Sequence, residues 1–299
     1  MLPTNTTTST TADVSSATKL PWSQDSYVAI PQRRPWLYGL VGVAKYEWER
    51  SLSWSRLLGL LLIIAFPVVL LGMVKMLVDV NARANADQKF MIFSTVVFML
   101  IPQVATMLSL LLWATPAVNS ELEGQTWIYA LVRPNGRLIL VLGKYIVAFF
   151  WAFVGGTTAI TLLVPILSLE RSWDLWWTTI RLLFLASLAY SALYILIGTF
   201  FQRRSMVVAF IYTIVVEGVL SFLPATINQI TVSYRLRSLF IQWLGVEFPR
   251  DPDNPFMIAD LSGQWHLIVG ILIYTLICLT ISMLWLRRSE YSLQPEAAA

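Results

Sequence analysis

Cysteine and histidine each occur once in 299 residues, as Cys278 and His266. One cysteine cannot close an intrachain disulfide, and the two residues together cannot build a Cys/His metal cluster, so no metal site is expected. Cys278 lies inside an apolar run and reads as a small packing residue. Charge is also scarce. Asp, Glu, Lys and Arg make up 13% of the chain, about half of what a soluble domain carries. With 57% hydrophobic residues, too little polar surface remains to cover a globule in water. A soluble enzyme is excluded, and so is disorder as the main state. The formal net charge is +4, but no basic run interleaves with aromatics, so no nucleic-acid partner is expected. No clustered carboxylates or Ser/Lys pairs mark a membrane-embedded enzyme.

Long apolar runs are what the sequence has. Six fall at about 57–77, 91–115, 142–167, 178–200, 206–223 and 265–286, each near the roughly 20 residues a spanning helix needs. Pro67 and Pro102 lie inside the first two, which a membrane helix tolerates when neighbours satisfy the freed carbonyl. The expected fold is all-α, an integral membrane protein of six spans. Residues 1–35 start with a Ser/Thr-rich stretch that has no apolar core behind a basic start. They read as a disordered tail and not a signal peptide. Residues 289–299 form a second tail.

Lys and Arg set the orientation. With the N-terminus inside, thirteen fall on the cytoplasmic side, among them Lys45, Arg50, Arg56, Arg203, Arg204, Arg287 and Arg288, and eight on the other. Both termini are expected in the cytoplasm, in a plasma (inner) membrane. Lys75 and Arg181 read as residues snorkelling to the interface.

Three stretches outside the spans carry information. In 36–55, Leu37, Leu40, Val41, Ala44, Trp48 and Leu52 share one helical face, with Lys45 and Glu47 at its edges. This predicts a helix lying in the cytoplasmic interface before the first span. In 224–264, Leu236, Leu239, Phe240, Trp243 and Leu244 share a face opposite Ser238 and Gln242, with Arg235 and Arg237 at the margins. That predicts an amphipathic helix at the outer interface. Asp251-Pro252-Asp253-Asn254-Pro255 has oxygen ligands, but two prolines and no sixth-position glycine argue against a calcium loop.

The third stretch is Asn119–Lys144. Ser120 and Glu123 form a capping box, and Glu121 and Glu123 suit a helix N-terminus. Pro134 ends the helix before Arg133, and Asn135-Gly136 makes a turn. A short helix bearing Trp127, Tyr129 and Leu131 results. Either it docks a soluble partner or it packs under its own spans. Gly136 and Gly143-Lys144 are not a phosphate loop, because six residues intervene and Tyr145 follows the lysine. One acid lies deep in a span. Glu217 is about eleven residues, roughly 16 Å, into the fifth. It reads either as lining a substrate path or dimer interface, or as hydrogen-bonded to a neighbouring span.

Glu121-x-Glu123-Gly124-x-Thr126, then Pro134-x-x-Arg137, then Gly143-Lys144 resembles the signature loop of type-2 ATP-binding-cassette (ABC) transporter permeases. Trp127 stands where many members carry a smaller aliphatic residue. The layout over residues 36–288 is also similar to that family's: an elbow helix, six spans, a coupling helix between spans two and three, and structured outer segments before span six. The resemblance implies that 119–137 docks a separate ABC ATPase subunit. Glu121, Glu123, Gly124, Thr126, Trp127, Pro134, Arg137 and Lys144 would serve as the coupling residues. It implies an exporter that dimerises with itself or a related permease, is surrounded by lipid, and has no catalytic residue or cofactor of its own. ATP and magnesium would belong to the partner. A transmitter or anchor without transport, or a lipid-modifying enzyme, are the alternative readings.

Overall fold

The computed structural model describes residues 36–80, 86–115, 136–201, 204–219, 231–245 and 263–288. Both tails, most of the 119–137 segment and much of 224–264 lie outside them. Among the described residues there is no strand. The helices are α1 (Trp36–Ser51), α2 (Trp54–Val80), α3 (Ala86–Phe98), α4 (Thr106–Trp113), α5 (Gly136–Leu167), α6 (Ser172–Phe200), α7 (Ser205–Tyr212), α8 (Val232–Leu244) and α9 (Gln264–Arg288). Among the described residues five stretches are long and apolar enough to cross a membrane: Trp54–Leu77, Ala86–Trp113, Gly136–Leu167, Ser172–Phe200 and Gln264–Arg288. The chain is a multi-pass membrane protein. The fifth expected span is described only as the shorter apolar helix Ser205–Val219, with the remainder of 206–223 outside the described residues.

Two of the apolar helices include a more loosely wound segment. Met99–Ala105 joins α3 to α4 as a π-helical segment containing Pro102, and Thr213–Val219 continues α7 in the same way. Proline has no N–H to give and breaks the regular ladder. The Thr106 N–H reaches the Ile101 carbonyl five residues back, and the Thr106 hydroxyl donates to the same carbonyl at 3.1 Å. This satisfies the Ile101 carbonyl, as a membrane interior requires of its backbone.

α6 is the central helix. Of its most apolar window 72% is buried inside the protein, against 17% for α2 and 28% for α9. α5 packs closely on it, since a Cβ on Gly156 would stand 2.5 Å from Leu183 Cδ2. The bare faces of α2, with Leu58, Leu61, Leu62, Val69 and Met73 all more than half exposed, are therefore the lipid surface. At one end of the bundle Lys75 donates to the Ile166 carbonyl at 2.7 Å, closing the last turn of α5. At that same end Arg181 lies over the rings of Trp177 and Trp243, at 5.3 and 5.9 Å.

α8 departs from the expectation of a helix lying flat at a surface. Arg171, just before α6, donates to the Leu244 carbonyl at 3.3 Å, and Trp243 donates to Gln264 at the start of α9 at 2.9 Å. The other end of α8 meets Tyr190, about 27 Å further along α6 at 1.5 Å per residue. The helix therefore descends into the bundle. Ser238 and Arg237, expected on its polar face and margin, are fully buried. The polar face meets protein groups where a surface helix would meet water.

Candidate functional site

Residues with possible function gather at two places: the first turns of α5, and the π-helical segment after α7.

α5 begins at Gly136, six residues before the apolar run that was expected to start the third span. It has 32 residues, about 48 Å, which exceeds the roughly 30 Å hydrocarbon layer. α1 runs along this helix in the same direction. Gly39 faces Ile139, Val43 faces Gly143, Glu47 pairs with Lys144, and Ser51 meets Trp151. The spacing of four along α1 is the ridge pattern of close helix packing. Gly143 is required here, because a Cβ would stand 2.7 Å from Val43 Cγ1. Lys144 is fully buried, and its ammonium donates to the Glu47 carboxylate. Next to this ion pair the Trp151 indole donates to Ser51 Oγ at 2.7 Å. Trp151 also stacks between Trp48 of α1 and Trp113 of α4, at 5.0 and 5.7 Å.

The stripe that α1 turns inward is thus Gly39, Val43, Glu47 and Ser51, not the apolar face read from its sequence. Of that face Leu37, Val41 and Leu52 point outward, with Val41 62% exposed, while Leu40 and Ala44 are part-buried and Trp48 stacks on Trp151. Glu47, at the edge of the apolar face in sequence, is the acid that matters. The signal that could have found it was its match to Lys144, the basic residue closest to the apolar core of α5.

Arg137 is in the first turn of α5. Its guanidinium donates to the Leu286 and Arg287 carbonyls at 3.1 and 2.6 Å. These are among the last four carbonyls of α9, which have no partner within their own helix, and a cation there complements the helix dipole. The start of α5 is therefore bound on one side to α1 and on the other to α9. Glu121, Glu123, Gly124, Thr126, Trp127 and Pro134 lie outside the described residues.

Glu217 is 4% exposed. Its carboxylate accepts from the Tyr190 hydroxyl at 3.1 Å, the Tyr212 hydroxyl at 3.3 Å and the Ser233 backbone N–H at 3.1 Å. The Ser233 hydroxyl stands 3.0 Å from the Tyr190 hydroxyl. Thr231 caps α8, accepting from the Tyr234 N–H at 3.3 Å. The acid therefore sits on the N-terminus of α8, where helix N–H groups favour an anion. Glu217 makes a hydrogen bond to a neighbouring helix, through Tyr190 of α6. Sequence reasoning missed Ser233 and both tyrosines, because a hydroxyl on an apolar helix gives no sign of its partner.

No three His, Cys, Asp or Glu side chains among the described residues are placed to hold a metal ion. Compared with known proteins, the chain matches no family model and no curated relative.

Proposed function

We propose that this chain is the transmembrane permease subunit of an ABC exporter, driven by a separate ATPase that docks on residues 119–137. The observation that supports the reading is the mechanical setting of that segment. It feeds directly into the first turns of α5, where Arg137 ties α9 and Lys144 ties α1. A push on the segment would therefore be delivered to three helices together. In this reading Glu121, Glu123, Gly124, Thr126, Trp127 and Pro134 form the docking surface, and Arg137 and Lys144 pass the movement on. The helix Ser205–Val219 and its continuation make the fifth of six spans, α1 is the elbow, and both termini are cytoplasmic in the plasma membrane. The functional unit is a dimer of this chain or of this chain with a homologue. Glu217 holds α8 in place beside the substrate path.

The test is co-purification of this chain with a candidate phosphate-loop ATPase expressed alongside it. Glu123→Ala with Trp127→Ala should release the ATPase while leaving the permease folded. If the ATPase remains bound and its hydrolysis rate is unchanged, the docking assignment fails. Vesicles that take up no lipid, drug or glycan probe, yet hydrolyse ATP in a permease-dependent way, would favour the non-transporting transmitter.

A further inference from the structure

α6 is the central helix, yet it leaves one strip bare. Trp173, Trp177, Arg181 and Phe184 are exposed, and the residues between them, Asp174 aside, are buried or partly buried. Their spacing of four, four and three puts them on one face. Leu188, a turn further along that face, is partly buried. Two other helices border the strip. Phe184 stands edge-on to Phe149 and Phe153 of α5, at 5.5 and 5.9 Å, and those two rings stack on each other at 6.0 Å. Trp243 of α8 lies 5.9 Å from the Arg181 guanidinium. The strip is thus the floor of a groove.

Arg181 is the one charge on that floor. Its guanidinium leans toward Trp177, one turn nearer the start of α6, the direction in which helical side chains tilt. Among the described residues these two indole rings are its partners, and it makes no ion pair or hydrogen bond. The rings fix the guanidinium while its N–H fork, which matches phosphate oxygens, stays unspent. The level is also marked. Trp173 is 71% exposed, and Trp265, at the start of α9 and the same end of the bundle, is 72% exposed. Tryptophan collects at the headgroup level. From Arg181 the strip runs about 10 Å deeper to Leu188, at 1.5 Å per residue, which stays within one leaflet. An apolar helix laid on this strip would bury Arg181 without a counter-charge, at a high cost. A phosphate supplies that charge, and a chain attached to it covers Phe184.

We propose that an anionic phospholipid occupies this groove, with its phosphate on Arg181 and one acyl chain running over Phe184 along α5. The site requires only that the chain spans a membrane and is independent of the ATPase reading.

The experiment uses the full chain in nanodiscs that carry a phosphatidylglycerol with a photoreactive diazirine midway along one acyl chain. Cross-linked peptides are mapped by mass spectrometry. Wild type should be labelled at residues 149–153 and 184–188 well above the bare face of α2, and the phosphatidylcholine analogue should show no such preference. Equal labelling of the groove and of α2 by the phosphatidylglycerol probe would overturn the proposal without any variant having to fold. Arg181→Gln should lower groove labelling about fivefold, the effect of one basic residue at an anionic surface. Arg181→Lys should recover less than half of that loss, because an ammonium has no planar fork. Arg288→Gln, at the exposed far end of α9, should leave groove labelling unchanged. A loss there matching that in Arg181→Gln would mean general attraction, and displacement of the probe by millimolar inorganic phosphate would mean a free-anion site. A disulfide between two copies through Phe184→Cys, in a chain carrying Cys278→Ser, would mean that a second copy covers the strip. Each of these three results overturns the proposal.

Discussion

Lys144 and Glu217 are ionisable side chains that the protein buries with partners drawn from other helices, and it satisfies them in opposite ways. Lys144 is matched by a full opposite charge, Glu47 on α1. Glu217 is matched by neutral donors, two tyrosine hydroxyls and one backbone N–H. A charge pair buried without water is costly to assemble and far more costly to break from one side. A carboxylate held by several dipoles loses them one at a time. The first arrangement behaves as a rivet between α1 and α5. The second behaves as a seat that fixes where α8 begins and can be loosened by degrees.

That difference can be broken experimentally. Lys144→Ala leaves Glu47 buried and unmatched, and should cost about 4 kcal/mol in thermal unfolding in detergent. The exchange Glu47→Lys with Lys144→Glu should recover most of this loss. If it does not, the attraction between the two charges is not what joins the helices. Glu217→Ala leaves three donors without their acceptor and should cost about 2–3 kcal/mol. Its mark should be faster hydrogen exchange in the first turn of α8, with α1 unaffected. Tyr190→Phe removes one of those donors and should cost about 1 kcal/mol. Equal losses for Tyr190→Phe and Glu217→Ala would mean that the network stands or falls as a whole. The smallest effect belongs to a surface pair. Lys45 and Glu49 are 4.0 Å apart and well exposed, so Lys45→Ala should change stability by less than about 0.5 kcal/mol.

Much of the fold is legible in the sequence because a membrane span announces itself by length and apolarity. The five described spans match the expected runs, and most extend past them at their polar ends. α5 shows why the ends are harder to read. Asn135-Gly136 reads as a turn in sequence, but the helix already begins at Gly136, and Arg137 in its first turn donates to the carbonyls at the end of α9. The orientation of α1 is not legible either. Its apolar stripe is the conspicuous one, yet the packing face is set by Glu47, whose partner is 97 residues away. For α8 the periodicity gives the helix but not its setting. An amphipathic helix looks the same in sequence whether its polar side meets water or, as Ser233 does, the hydroxyl and carboxylate of other helices. Pro102 lies in one π-helical segment, but Pro67 lies in a regular α-helix, so proline alone does not mark such a segment in sequence. Glu217 stands out because an acid alone in an apolar run is too costly to leave without a partner.

The descent of α8 has a consequence in time. At 13 residues, with Arg237 buried in its middle, it is too short and too polar to enter a bilayer by itself. Its seat on Glu217 and its anchor on Arg171 both precede it in the chain. Its contact with Gln264 waits for the last helix. During synthesis this helix must therefore linger near the surface while the chain behind it emerges, then slide inward between neighbours already in position. Completing the protein is thus a step that follows insertion of the final span.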